Sequence, residues 1–400
     1  MNATDKWILV LGAGAYQVPL INAAKAMGCK TVVASIPGPY PGFEMADIAA
    51  YVDTSDRESI LEVAREHKVN GICTAGTDVA LPSLGYACEA LGLPGVSYES
   101  ATLASNKTKM KEAFAANGVN TAPFVRLSIA SPAETIAEAC EKLAYPVMFK
   151  AVDSSGSRGI IKVSSEAEIE HALSEVARVS KTTEFLVESF LDGFEVGAQA
   201  FVQQGAIEFV LPHGDYVFNA DAGVPIGHYA PLGEDKLAES ISRETSKAIR
   251  ALGLDNCAVN ADLIVTPKGT YVLEIGARSG ATGLAEMVGL YFGYDYYKKI
   301  VEVALGMNAD FSPTESKESA VVTRLITSDK TGIIDDISLP STLPHGIVDV
   351  TLDCKRGDAV SKFKIGPDRI GQITAVDKSV EEAEADISAF LDEVRITVSM

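Results

Sequence analysis

Apolar and polar positions along this chain follow two different periods. Over the first hundred residues, short apolar runs at Ile8 to Leu11, Thr31 to Ala34 and Gly71 to Thr74 are separated by stretches with helical spacing. One of these reaches Met27 and another covers Ile60 to His67. Strands alternating with helices of that length predict βαβ units and a parallel sheet, because a parallel connection needs a crossover. The pattern changes at Asn106. A helix carrying Lys107, Lys109 and Lys111 ends near Asn117-Gly118, and Thr121-Ala122-Pro123 leads into a strand, which puts a boundary at about 115 to 120. Ser131 with Glu134, and Ser165 with Glu168, have capping-box spacing and predict helices running to about Leu143 and Ser180. Between them, Val147 to Ala151 and Ile160 to Val163 predict a hairpin with a Gly/Ser tip. Further strands are predicted at Glu184 to Phe190, Glu195 to Val202 and Ala206 to Leu211. Residues 212–233, with their Gly and Pro, predict an irregular loop, and a loop that long inside a domain is more often functional than idle. A helix from Glu234 to Leu252, strands Ala258 to Val265 and Thr270 to Ile275, and a helix from Phe292 to Leu305 complete the middle. Strands and a final helix, Val380 to Val394, follow; no internal repeat is visible.

Composition narrows the class. With 400 residues, 47% of them apolar and 22% charged, the chain can bury a core, and its length predicts two or three domains. Its 34 Lys and Arg against 54 Asp and Glu give a net charge of −20. That excess argues against a nonspecific grip on nucleic acid or an anionic membrane, so an anionic ligand must be held by a local cluster of cations and amides. Six cysteines stand far apart with no CxxC pair, which suggests neither zinc nor a disulfide framework; five lie in apolar stretches and read as buried thiols. The apolar run Trp7 to Leu11 is too short for a signal-peptide core, and no run of about 18 apolar residues offers a membrane span. The expectation is a soluble, cytoplasmic enzyme with no nucleic-acid or membrane partner.

Four segments carry candidate chemistry. Gly12-Ala13-Gly14-Ala15-Tyr16-Gln17 is a tight strand-to-helix turn, with Gln17 where a dinucleotide fingerprint has Gly or Ala; it either exposes amides to an anion or merely connects. The hairpin tip from Lys150 through Ser154, Ser155, Gly156, Ser157 and Arg158 to Gly159 lets backbone amides approach a phosphate chain while the lysine supplies a point charge, although a flexible surface hairpin would read the same. A strand ending in Glu188, passing Leu191 and returning at Glu195, offers a backbone edge for a purine and a carboxylate for ribose hydroxyls. Finally, Asp262 and Glu274 lie on adjacent strands joined by Pro267-Lys268-Gly269, where two carboxylates can face one side and share a hard cation, and Arg278 follows where it could fork onto a phosphoryl or carboxylate group. An acidic pair neutralised by an arginine is the alternative. No Ser-His-Asp or Cys-His constellation stands out. His213 and His228 fall in the 212–233 loop, where one could bind substrate or deprotonate an amine, but a surface histidine is the commoner expectation.

Taken together, these segments resemble the ATP-grasp superfamily over the whole chain. The resemblance implies mixed α/β and α+β architecture: a Rossmann-like pre-ATP-grasp domain at 1–115, an ATP-grasp domain of two lobes with ATP between them at 116–310, and a C-terminal cap at 311–400. It implies that Lys107 and Lys150 touch ATP phosphates under the 154–159 loop, that Glu188 meets the adenine amino group beside the Leu191 backbone, and that Glu195 binds ribose. Asp262 and Glu274 would hold Mg2+, or Mn2+ in its place, and Arg278 would stabilise the transferred phosphate. Many members carry Asn two residues after the last acidic ligand; here the residue is Gly276, with water or bidentate Glu274 as replacements. Glu274-Ile275-Gly276-Ala277-Arg278 is similar to the branch of L-amino-acid ligases. The implied reaction joins small-molecule carboxylate and amine substrates through an acyl phosphate and releases ADP and phosphate. A bicarbonate-using enzyme like carbamoyl phosphate synthase or a purine-type ligase, a small-molecule kinase, and a non-catalytic nucleotide-binding regulator are the other readings. A homodimer is compatible with all of them.

Overall fold

A computed structural model describes residues 3–153, 159–218, 224–233, 235–314 and 319–399. The first sheet contains β1 (Trp7–Leu11), β2 (Lys30–Ser35), β3 (Ile48–Tyr51) and β4 (Gly71–Cys73), all parallel in the order β3-β2-β1-β4. Ile8, Leu9, Val10 and Leu11 are all buried, as a strand covered by helices on both faces requires. In the first turn, Gln17 fills the place an anion would take. Its Oε1 accepts from Gly14 N at 2.9 Å, and its Nε2 donates to Ala75 O at 2.5 Å. This arrangement agrees with the connecting reading of the turn.

The second sheet holds β5 (Phe124–Ser128), β6 (Val147–Ala151), β7 (Ile160–Val163) and β8 (Glu184–Ser189), antiparallel in the order β5-β8-β6-β7. Phe149, Ala151, Phe185 and Val187 pack on one face against helices Ala133–Leu143 and Ile169–Val179. By period two, Lys150 and Glu188 point to the other face. Neither capping box forms. Pro132 occupies the first N-cap, and Ser131 Oγ accepts from Ser128 N instead. Ser165 precedes a 3-10 turn without a side-chain cap, because the Glu168 carboxylate takes Ser164 N.

The remaining strands are β9 (Phe194–Gln203), β10 (Ala206–Val217), β11 (Pro225–Ala230), β12 (Cys257–Thr266), β13 (Gly269–Gly276), β14 (Ala320–Ile326), β15 (Gly332–Ser338), β16 (Ile347–Leu352), β17 (Ala359–Val360), β18 (Gly371–Asp377) and β19 (Arg395–Ser399). Eight of them make one sheet in the order β13-β12-β9-β10-β11-β14-β18-β16, and β17-β15-β19 form a small separate sheet. The large sheet is therefore continuous across residue 311.

Two elements differ from expectation. The described residues of 212–233 do not form the expected irregular loop: β10 runs on to Val217 and pairs antiparallel with β11. Pro212 is tolerated because the β11 register starts only at Gly214 opposite Tyr229, leaving Pro212 with a strand neighbour, β9, on one side. A helix without counterpart in the expected pattern, Leu284–Phe292, precedes Tyr296–Ala304, which forms within the predicted 292–305. Gly293, at φ 77°, ends the first, and the Asp295 carboxylate caps the second through Lys298 N. Five of the six cysteines are buried and Cys354 is partly so. No helix among the described residues is long and apolar enough to cross a membrane.

Candidate active site

Three strand-borne acids and three lysines meet on the faces turned away from the cores. Asp262 on β12 lies directly opposite Glu274 on β13, so the two carboxylates share a face. Like charges in that position repel, and a cation nearby relieves the repulsion. The helix Lys107–Ala116 supplies one: Asn106 caps it through Lys109 N, Lys107 N bonds Val152 O at 3.1 Å, and the Lys107 ammonium then donates to Glu274 Oε2. Burial pushes the Glu274 carboxyl up, but Lys107, with help from Lys150 and Arg278, outweighs it and holds the group below the usual carboxylate range. Asp262 goes the other way: burial, then the Glu274 charge, raise it. The two carboxyls are therefore unequal, with Glu274 held ionised by Lys107 and the charge of Asp262 disfavoured.

One turn further along the same helix, Lys111 is 1% exposed. Its ammonium lies 3.1 Å from Glu188 Oε2, and Lys150 reaches that oxygen at 3.0 Å. Met148, not Lys150, is directly opposite Glu188, so Lys150 approaches from the diagonal position on the same face. Burial lowers the Lys111 ammonium to about 8, against the upward pull of Glu188. Glu188 Oε1 is buried and has no hydrogen-bond partner among the described residues. Lys111 was not among the residues expected at the site; its i, i+4 spacing from Lys107 was the available signal.

Glu195, near the start of β9, is exposed to solvent, yet the protein around its carboxyl partly desolvates it, and this, followed by the Asp215 charge, raises its pKa. Leu191 lies between β8 and β9 and is half-buried. Gly159, at φ 69°, closes the β6–β7 hairpin; a Cβ there would come within 2.5 Å of the Val179 side chain. The candidate residues Ser154, Ser155, Gly156 and Ser157 lie outside the described residues.

Arg278 does not hang free. It forks onto Asp78, with Nε 2.8 Å from Oδ1 and Nη2 2.9 Å from Oδ2. Asp78 sits between β4 and the helix Leu81–Leu91, in a loop whose Gly76 N bonds Ser279 O at 3.2 Å. This contact spans 200 positions and has no local sequence signature.

His213 and His228 are not surface residues; they are 1% and 3% exposed. Extension of β10 puts His213 and Asp215 on one face, and its register with β11 places His228 opposite Asp215. Both Nδ1 atoms face Asp215 Oδ1, at 2.9 and 2.6 Å. Those are hydrogen-bond lengths, shorter than the roughly 3.3 Å between ligands of a tetrahedral ion with bonds near 2 Å. Burial raises Asp215, but the two imidazoles outweigh it and hold its pKa well below the usual carboxylate range. A polar chain links the neighbouring strands to the metal-type pair: Gln199 Nε2 donates to Asn260 Oδ1 at 2.6 Å, and Asn260 Nδ2 to Asp262 Oδ1 at 3.1 Å. The alternation His213-x-Asp215 was its sequence signal.

The chain is similar to known proteins over its whole length. Residues 112–291 match the family described as D-ala D-ala ligase C-terminus, and residues 324–399 match L-amino acid ligase C-terminal domain 2. The chain is similar to phosphoribosylglycinamide synthetase from Anaerococcus prevotii, with 32% identity, a TM-score of 0.84, and coverage of 99% of this chain and 100% of that one. L-amino acid ligase from Bacillus licheniformis shares the fold, with a TM-score of 0.81 at 21% identity over 99% of this chain and 100% of that one. D-alanine–D-alanine ligase of Geobacter sulfurreducens is 32% identical over 204 residues, which are 49% of this chain and 63% of that protein. On the full-length match at 32% identity and the two family matches, the chain belongs to the ATP-grasp ligases.

Proposed function

We propose that this chain joins a small-molecule carboxylate to an amine, using ATP to make an acyl phosphate and releasing ADP and phosphate. The observation that carries the reading is the register of Asp262 against Glu274, with Lys107 on one oxygen and Arg278 beside them. Amide formation in water is uphill, so the acid must first gain a good leaving group. Phosphoryl transfer asks the protein mainly to position and neutralise charge. Lys107 and Lys150 hold the ATP phosphates, Glu188 and the Leu191 backbone take the adenine edge, and Glu195 takes the ribose. Arg278 orients the acid and the phosphoryl group passing to it.

The donor set at Asp262 and Glu274 is all oxygen, which fits Mg2+ or Mn2+ and not a soft metal. When bound, such an ion supplies charge neutralisation beside the phosphates. The test is phosphate release from ATP with acid and amine candidates, singly and in pairs. Release that depends on both supports the ligase; release without any acid removes it.

A further inference from the structure

Gln199 lies in the middle of β9 with no exposed surface, and the strand register decides what it faces. Asn260 on β12 is directly opposite it, and Asp262 follows Asn260 two positions on, so the three side chains share one face of the large sheet. Past Arg278 the chain leaves β13 and folds over this face, where Gly280 N donates to Gln199 Oε1 at 2.9 Å. The turn comes so close that a Cβ at residue 280 would stand 2.7 Å from Asn260 Oδ1.

A backbone N–H can only donate, so Gln199 must turn its oxygen to Gly280 and its NH2 the other way. One of those hydrogens goes to Asn260 Oδ1 at 2.6 Å, and the nitrogen also faces His213 Nε2 at 3.5 Å. Asn260 is thereby left with its own NH2 toward Asp262, and donates to Oδ1 at 3.1 Å. His213 follows the same logic: with Nε2 turned to an N–H, its proton sits on Nδ1 and goes to Asp215 Oδ1. The series from Gly280 to Asp262 therefore runs one way, from the turn after Arg278 to a carboxylate of the metal-type pair. Reversing either amide would set oxygen against oxygen and N–H against N–H inside a buried site.

We propose that Gln199 is a positioning residue, which holds Asp262 through Asn260 and the turn after Arg278 through Gly280, so that the metal site and the arginine keep one spacing. This rests on the ligase reading above, and on its metal site in particular, and extends it to a buried amide that joins the two.

The experiment titrates the full chain with Mn2+ in the presence of ADP, read by electron paramagnetic resonance. Amide hydrogen exchange of residues 278–283 is followed by mass spectrometry with and without the metal and ADP. Gln199→Met keeps the length of the side chain and removes its hydrogen bonds, and Asn260→Leu breaks the series at the next member. Each should weaken Mn2+ binding on the order of tenfold. Because Gln199 acts on Asp262 through Asn260, the double variant should bind Mn2+ within about twofold of Asn260→Leu alone. Exchange at 278–283 should rise by roughly fivefold in Gln199→Met, where Gly280 loses its acceptor. In the unaltered protein Mn2+ with ADP should slow that exchange, and both single variants should lose most of the slowing. If Gln199→Met does not fold, the metal-dependent exchange of Asn260→Leu carries the comparison. Unchanged Mn2+ affinity in Gln199→Met, losses that multiply in the double variant, or slowing that survives in both single variants overturns the positioning role. None of these readings uses an acid or an amine, so a chain that behaves as expected here yet releases no ADP with any acid would lose the ligase reading alone. Unaltered protein that binds no Mn2+ with ADP would remove the metal site and the positioning role together.

Discussion

Lys111 and Lys150, from a helix and a strand of different layers, converge on the single oxygen Oε2 of Glu188 at 3.1 and 3.0 Å. Two ammonium groups at one carboxylate oxygen bind the helix Lys107–Ala116 to the second sheet, and all three groups are buried. Lys111→Met removes one cation and leaves Glu188 with less compensation. The expected loss is about 3 kcal/mol of stability, typical of a broken buried pair. Urea denaturation of the variant checks this, and a loss below about 1 kcal/mol would show the contact to be incidental.

The same cluster sets part of the response to acid. Burial works to raise the Glu188 carboxyl, but Lys111 and Lys150 win and hold its pKa below the usual carboxylate range. A group depressed in the folded state stabilises fully above its unfolded pKa, and that stabilisation is lost as pH falls through the folded value. The stability gap between the native protein and Glu188→Gln should therefore be widest near pH 7 and shrink below about pH 4.5. Paired denaturation curves from pH 7 to 3.5 decide it; a constant gap contradicts the ionic clamp.

The metal assignment makes a separate claim. Glu274→Gln removes a hard ligand charge and weakens the hold on Lys107, so turnover should be lost while circular dichroism stays native. Mn2+ binding followed by electron paramagnetic resonance should weaken at least tenfold in the variant. Unchanged Mn2+ affinity would take Glu274 out of the metal site whatever the activity does.

How legible the site was in the sequence depended on distance along the chain. Asp262 and Glu274 could be placed on adjacent strands because of the tight turn Pro267-Lys268-Gly269, although they come directly opposite only through a register shift between Asp262 and Leu263 that the turn does not set, and Lys150 and Glu188 could be placed together because period two assigns strand faces. Lys111 was hidden by appearing as one of several lysines on a helix, although i, i+4 spacing aligned it with Lys107. His213 and Asp215 were masked by Pro212 and Gly214, which read as breakers when their neighbours on β9 in fact sustain the strand. Asp78 could not have been found, since its contact with Arg278 is set by how two distant elements dock and by nothing near either residue.

Nucleotide recognition divides between groups that differ in what they touch. Lys150 is directed at phosphates in the proposed site and Glu195 at ribose, so Lys150→Ala should weaken ATP binding far more than adenosine binding, while Glu195→Ala should weaken both. Calorimetry with the two ligands measures the split. Equal losses in the lysine variant would remove Lys150 from the phosphates.

The route of activation is the sharpest test of the chemistry. An acyl phosphate requires attack by a carboxylate oxygen on the γ-phosphorus of ATP, breaking its bond to the bridging oxygen and releasing ADP. When the amine then attacks the acyl carbon, that carboxylate oxygen leaves as part of inorganic phosphate. An adenylating ligase would instead release AMP and pyrophosphate, and a kinase would stop at the phosphorylated acid. Lys107, Lys150, Arg278 and the Asp262–Glu274 pair together suit a terminal phosphoryl group in transit, so ADP is the expected product. With an accepted acid carrying heavy oxygen in its carboxylate, one labelled oxygen should appear in phosphate for each amide formed. AMP as the stoichiometric product, or phosphate that never acquires label, would rule out acyl-phosphate chemistry at this site.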